Sequence, residues 1–330
     1  MSTVVSGRRI AEPGPVKGRR FRLPTRAPRT PRPARQPRPK VPLTREQERL
    51  VLMSSVLTMV AIVCLWSLAQ MLLLGRLSED RSQGLLYPEF RHELAAQTAP
   101  TGPTTVDADG KTVAVAPGEP VAVVSAPEIG LSQVVVEGTA PSDLLAGPGH
   151  RRDTVLPGQE GTSLVYGRAT TYGGPFGKIE DLRAGDHIYV VIGQGRVDFT
   201  VLGVRYDGDP LPPAPAAGKA RLVLTTAEQL RWGMSPGRAV YVDAEAPKAY
   251  PAPSGRPAAV PEPELAMQTD SGAMPLLVLC LAGLVAVTLG VIAARQRWSA
   301  ALVWVVATPI VIALSWGTTD VVMRLLPNLI

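Results

Sequence analysis

Cysteine, histidine and aromatic side chains are all scarce in this 330-residue chain: two Cys, three His, and 5% Phe, Trp and Tyr. The two cysteines, Cys64 and Cys280, each sit inside a long apolar run, so the polar part of the chain has neither a disulfide framework nor a thiol. The histidines, His92, His150 and His187, are dispersed with no cysteine beside them, which gives no metal-ligand spacing. No metal and no cofactor is therefore expected. His92 and His187 read as solvated, and His150 reads as an ordinary loop histidine. A phosphate-cradling glycine loop is missing too, since Gly193-Gln194-Gly195 has the form of a hairpin turn between two strands.

Acidic residues are nearly missing from the start of the chain. Residues 1–49 carry 14 Lys and Arg against 3 Glu, a net +11, so the remainder carries −5 to reach the whole-chain +6. Prolines from Pro13 to Pro42 interleave with the arginines. With so few apolar residues, this stretch cannot offset the entropy of ordering a core, and a disordered, partly polyproline-like tail is expected. Phe21 is its one aromatic residue, too little to stack on bases, so nucleic acid is not expected as a partner. The simplest role for the charge is to hold this end in the cytoplasm. Attraction to anionic lipid or to a proline-binding domain is the alternative.

Three charge-free runs follow the pattern of membrane helices. Residues 50–74 lack any charge and are bracketed by Arg49 and Arg76, giving a first span over 50–75. Residues 275–294 form a second, closed by Arg295-Gln296-Arg297-Trp298, and residues 300–317 a third, with Pro309 predicting a kink. The tail to residue 326 either extends the third helix or lies at the interface. The basic tail then faces the cytoplasm, the stretch between the first and second spans faces outward, and the chain sits in the plasma membrane. Between those spans, residues 76–119 read as a helix and linker. Leu86, Phe90 and Leu94 share a helix face that Pro88 interrupts, and 97–119 is an Ala-, Thr-, Pro- and Gly-rich spacer. A second Pro-rich linker covers 247–274.

The folded exterior domain occupies residues 120–246. Its apolar or alternating segments, 121–125, 133–137, 162–167, 187–192, 197–205, 220–225 and 239–244, have strand lengths and are separated by Gly, Pro and Asp. Only short helices intervene, at 142–145 and 179–182. Many short strands with turn signals predict an all-β barrel or sandwich.

The stretch 161–186, GTSLVYGRATTYGGPFGKIEDLRAGD, narrows this further. Gly167-Arg168-Ala169-Thr170-Thr171-Tyr172-Gly173-Gly174-Pro175-Phe176 closely resembles the strand end of the sortases, in their actinobacterial class D/E-like branch. Further ordered matches are Ala126-Pro127-Glu128-Ile129-Gly130-Leu131, Gly147-Pro148-Gly149-His150, Leu156-Pro157-Gly158 and Arg221-Leu222-Val223-Leu224-Thr225-Thr226. The resemblance implies an eight-stranded sortase-type β-barrel carrying one N-terminal and two C-terminal transmembrane helices. It also implies a cysteine transpeptidase ancestry, with a Cys nucleophile, a His and an Arg. On the matched positions Arg168 stands at the family's His and Ala227 at its Cys, while Arg238 matches the Arg. No catalytic residue is then assigned, because a methyl group cannot form an acyl-enzyme.

The groove candidates are Arg168, Arg238, His150, Thr226, Tyr172 and Glu228. Two neighbouring arginines would repel unless an anion lies between them. That anion is either an intramolecular carboxylate, Glu228 or Asp153, or a ligand carboxylate, which Arg suits by bidentate capture. Arg238 also fits a plain rim charge paired with a carboxylate. Three functions follow from different classes. The first is a catalytically degenerate sortase-like protein at the cell surface that binds or scaffolds surface polypeptides or cell-wall (peptidoglycan) components. The second is an active enzyme with unorthodox residues, for which Thr226, His150 and Glu228 are the nearest groups. The third is a structural subunit of a membrane complex.

Overall fold

A computed structural model of the chain describes residues 64–106, 112–228, 238–294 and 297–330, with isolated positions between 46 and 57. Most of the predicted basic tail, part of the first predicted span (51–52, 54–56 and 58–63) and residues 229–237 lie outside the described residues. What is described of the first span is helical from Cys64, passes through a π-helical turn at Gln70–Leu74, and runs directly into helix α1, Gly75–Ala96. Pro88 lies inside α1 without ending it, contrary to the expectation that it interrupts the helix. Gln97 closes α1 in the left-handed conformation, its N–H reaching back to the carbonyls of Glu93 and Leu94.

The segment read as a spacer is partly ordered. Thr104–Val106 (β1) and Thr112–Ala114 (β2) pair as an antiparallel hairpin, and Val115 enters the main core at 4% exposure. The domain proper then follows as Pro120–Ala126 (β3), Leu131–Glu137 (β4), Gly149–His150 (β5), Gly161–Tyr166 (β6), His187–Ile192 (β7), Gly195–Tyr206 (β8), Ala220–Ala227 (β9) and Ala239–Ala246 (β10). These eight strands close into a barrel in the order β10-β8-β7-β3-β4-β5-β6-β9. All seven expected strands are present. The eighth, β5, has only two residues, too short to show any periodicity. It nonetheless closes the barrel by pairing parallel to β4 and antiparallel to β6.

The core forms because inward positions alternate along each strand. Val121, Val124, Val135, Val165, Ile188, Val190, Phe199, Val201, Leu222, Leu224 and Val242 all face it, none more than 1% exposed. The exposed edge of β4 needs another partner where β5 does not reach. Gln83 of α1 supplies it: its Nε2 donates to the carbonyls of Val134 (3.1 Å) and Ala146 (2.9 Å), and its Oε1 accepts from the Val134 N–H at 2.7 Å. A side-chain amide thereby mimics a strand neighbour. This fixes α1 against the barrel, so the segment expected to be a helix and linker is docked and not a free tether.

The second Pro-rich stretch is also engaged. Gln159 and Tyr250 form an isolated bridge, and Glu264, 4% exposed, pairs with Arg152 through both carboxylate oxygens. Helix α2, Met274–Ala294, and helix α3, Ala300–Arg324, pack against each other and are long and apolar enough to cross a membrane. Pro309 lies within α3, and the helix continues past the expected end of the span to Arg324.

Candidate ligand-binding groove

Two parallel strands build this end of the barrel. β6 and β9 run side by side with Tyr166 opposite Thr225 at their last paired rung. One step on, the Gly167 N–H donates to the Thr225 carbonyl at 2.9 Å and the Thr226 hydroxyl donates to the Gly167 carbonyl at 2.8 Å. Residues 168 and 227 therefore emerge from adjacent strand ends. Beyond them the chain turns tightly. A Cβ on Gly167 would fall 2.5 Å from the Phe176 ring, and one on Gly174 (φ 55°) would fall 2.6 Å from the Ala169 carbonyl. Tyr172 itself is held at φ 47°, uncommon for a bulky residue.

Arg168 is fully buried. Its Nη2 donates to the Pro141 carbonyl at 2.9 Å, its Nε to the Leu144 carbonyl at 3.3 Å, and its Nη1 to the Thr171 hydroxyl (3.2 Å) and the Ile330 carbonyl (3.3 Å). Its guanidinium carbon lies 5.9 Å from the centre of the Tyr172 ring. Burial pushes the guanidinium pKa down to about 10. Neither Asp153 nor Glu228, the side-chain carboxylates expected beside Arg168, is its partner. Asp153 pairs with Arg151 at 2.8 Å and Glu228 with Arg238 at 3.7 Å. Arg238 is an exposed rim residue, 62% accessible and stacked 5.2 Å over Tyr206. The two arginines thus do not share one basic groove: a buried guanidinium finds carbonyls, an exposed one finds water and a loose partner.

His150 is not a loop histidine. It lies on β5 at 2% exposure, with Nδ1 2.8 Å from Glu137 Oε2 and Nε2 2.8 Å from the Val155 carbonyl. Glu137 and His150 are also cross-strand partners at the parallel β4–β5 seam, so this pair locks the barrel closure. The Thr226 hydroxyl is committed to Gly167, and Glu228 is partly exposed beside Arg238, so Thr226, His150 and Glu228 are not brought together. Tyr172 is 2% exposed; burial first, and then the nearby Asp320, raise its phenol pKa above the ordinary range. Its hydroxyl donates to Asp320 of α3, tying the loop after β6 to that helix.

The residues that complete this site come from the far end of the chain. Leu144, Tyr166, Ala169, Ala227, Ala239 and Leu329 form a second apolar cluster, separate from the main core. Leu329 is fully buried there, and its carbonyl accepts from the Ala169 N–H at 2.9 Å. Asn328, also fully buried, donates through Nδ2 to the carbonyls of Thr139 and Leu265, both at 2.9 Å. The Ile330 carbonyl accepts from the Thr171 hydroxyl at 2.5 Å as well as from Arg168. Sequence reading reached neither Asn328 nor Leu329. The one local signal is Pro327, which forces the chain out of helix after Arg324; nothing local names a partner some 160 residues upstream. Among the described residues no cluster of ligating side chains fit for a metal is found. A surface depression of about 530 Å³, lined by residues including Arg196, Asp198, Lys248 and Tyr250, is distinct from the residues of this groove.

Residues 124–245 match the protein family described as "Sortase domain". Similar solved structures include a sortase D5 transpeptidase of Clostridium perfringens (17% identity, TM-score 0.38, 52% of this chain and 98% of that one). Another is sortase E of Streptomyces avermitilis (24% identity, TM-score 0.33, 43% and 97%). A third is sortase E1 of Streptomyces coelicolor, solved with a tripeptide in its active site (19% identity, TM-score 0.34, 42% and 94%). No curated protein matches the chain. The matched residues, 124–245, are those of the closed barrel from within β3 to within β10, and this part of the chain is similar to the sortase domain.

Proposed function

We propose that this is a membrane-anchored, catalytically silent member of the sortase family whose barrel binds surface polypeptides or cell-wall components. The observation that carries the reading is the chemistry at the two strand ends. Ala227 closes β9 where the resemblance expects a nucleophilic Cys, and Arg168 follows β6 where it expects a His. A buried methyl group cannot attack a carbonyl, and a guanidinium has no free lone pair with which to accept a proton. The chain's two cysteines, Cys64 and Cys280, lie in the apolar stretches of the predicted spans, beyond reach of the groove.

The barrel is assigned to the outer face of the membrane and the basic tail to the cytoplasm. Three helix ends support this by meeting beside the barrel. Gln70, ending the first span, donates to the Trp316 carbonyl at 3.3 Å and accepts from Thr319 at 3.0 Å. The Asp270 N–H, just before α2, donates to the carbonyl of Arg324 at the end of α3 at 2.8 Å. Three spans crossing in alternation bring those three ends to one side.

The test compares the full chain in lipid nanodiscs with its Arg168→His plus Ala227→Cys variant on LPxTG- and LAxTG-type peptides, scoring cleavage and binding separately. Binding without cleavage by the wild type, with cleavage gained by the variant, is the expected result. Cleavage by the wild type overturns the reading.

A further inference from the structure

We propose that residues 327–330 are a built-in ligand: this segment of the chain occupies the peptide-binding groove of the barrel and must leave before any other segment binds. The inference rests on reading the groove as one that takes a peptide, and it adds what fills it at rest.

The contacts are those of a bound turn, closed by the Ile330 N–H donating to the Pro327 carbonyl at 3.3 Å, more than those of a packed helix end. Backbone carbonyls of successive residues are read separately. Leu329 is read by the Ala169 N–H, and Ile330 by the Arg168 guanidinium together with the Thr171 hydroxyl. The Asn328 N–H is read by the Gln268 carbonyl at 3.0 Å. Between these polar contacts, the Leu329 side chain is buried in one apolar cluster with three alanines, Ala169, Ala227 and Ala239, and with Leu144 and Tyr166. Small side chains on the receiving surface and a branched apolar one on the incoming segment are what a side-chain pocket needs.

Removing the segment would leave three donors, the Ala169 N–H, the Thr171 hydroxyl and one arm of Arg168, in an apolar cleft without their partners. Unmatched buried donors are costly, so the empty groove selects a replacement that offers the same two carbonyls and one apolar side chain. The ligand class is therefore a short apolar peptide that can take up the same turn. The segment itself reads Leu326-Pro327-Asn328-Leu329-Ile330, the same Leu-Pro-x opening as the LPxTG probes. Its fit is also imperfect, since Asn328 Oδ1 is buried without a partner. An imperfect internal ligand held by a short tether is displaceable, whereas a perfectly matched one is merely structure.

Tethering explains why such a groove would look inert. A segment joined to α3 by only a few residues is present at an effective concentration of about millimolar or above, so a free peptide of equal intrinsic affinity competes poorly. Displacing it raises apparent peptide affinity by roughly 10²-fold.

The experiment uses the full chain in nanodiscs, a fluorescent peptide spanning residues 325–330, and Leu329→Asp to expel the segment. The wild type is expected to bind the peptide weakly. L329D is expected to bind it roughly 10²-fold more tightly, and to lose that gain when Arg168→Gln is added. Hydrogen exchange supplies the second readout. The Ala169 amide should be protected in the wild type, exposed in L329D, and protected again by added peptide, while the amides of β3, β7 and β8 stay unchanged and report an intact barrel. An intact L329D barrel that binds no peptide overturns the built-in ligand and leaves the silent-site reading standing. Peptide bound and cleaved by L329D overturns the silent site and leaves the built-in ligand standing.

Discussion

The body of the barrel and its mouth at the ends of β6 and β9 are built from different materials. The body is closed by its own eight strands and filled with Val, Leu, Ile and Phe side chains from neighbouring strands. The mouth is rich in alanines and completed by Leu329, a residue separated from Ala169 by the rest of the domain and two apolar helices. A core supplied from within is a property of the fold. A cluster finished by a distant segment is a property of that segment's staying in place, and it separates stability from occupancy.

The strongest way to break the comparison is to damage the body. Phe199 is fully buried in β8, and Phe199→Ala should cost about 3–5 kcal/mol by lost burial and the cavity left behind. Chemical denaturation of the nanodisc-held protein, followed by circular dichroism, should show the whole barrel unfolding earlier. Leu329→Ala removes a side chain just as buried, yet the expected outcome is different in kind. It should cost about 2 kcal/mol, confined to the mouth, with faster exchange at Ala169 and an unchanged unfolding midpoint for the β7–β8 hairpin. If L329A shifts that midpoint as far as F199A does, body and mouth are one cooperative unit.

The third prediction concerns two buried carboxyls at the mouth's supports. Glu79 of α1 faces the Gly173 turn, where an added Cβ would fall 2.6 Å from its Oε2, and burial, with Asp80 nearby, pushes its pKa up to about 7. Asp143, beside Leu144 in the chain, is pushed up to about 6 by burial. A carboxyl whose pKa is higher folded than unfolded binds its proton more tightly in the native state. Its stabilising effect is therefore complete below the unfolded value of roughly 4, and it is lost as pH rises through the folded value. Stability should fall between about pH 4 and 8, against the usual direction for paired carboxylates. Glu79→Gln should flatten the upper half of that fall and Asp143→Asn the lower half, measured by denaturation midpoints across pH. A profile that rises with pH in the wild type, or one that neither variant changes, removes these groups from the account.

Much of the body was legible in the sequence because alternation and turn residues report directly on strands that face a common core. Six of the seven expected strands fall within the observed ones and the other, 162–167, overruns β6 by one residue, while the hairpin turn expected at Gly193-Gln194-Gly195 joins β7 to β8. β5 was hidden because two residues carry no period, and His150 was misread with it: Gly-Pro-Gly-His has loop composition, but the seam needs the His150–Glu137 pair. The spacer 97–119 misled for the opposite reason, since its small residues resemble a linker while Ala99 and Val115 are in fact buried. For the site, Arg168 was found by position, but its environment was not. The resemblance places a second Arg and a carboxylate near Arg168, while the structure surrounds it with backbone oxygens of Pro141, Leu144 and Ile330, whose side chains carry no polar group to announce them.

The smallest expected effect is at Arg238, and it sharpens the comparison from the exposed side. Its ion pair with Glu228 is long, at 3.7 Å, and its side chain is 62% accessible, so water and salt screen most of the attraction. Its stacking over Tyr206 at 5.2 Å adds a weak contact on the outer rim. Arg238→Ala should therefore change stability by about 0–1 kcal/mol, and less as salt is raised, with peptide binding by the L329D variant untouched. Arg168→Gln in that same background should abolish the binding, because the guanidinium arm that reads the Ile330 carbonyl is gone. If instead R238A weakens peptide binding as much as R168Q does, both arginines hold the ligand. The shared basic groove expected from the sequence would then form when a peptide replaces residues 327–330.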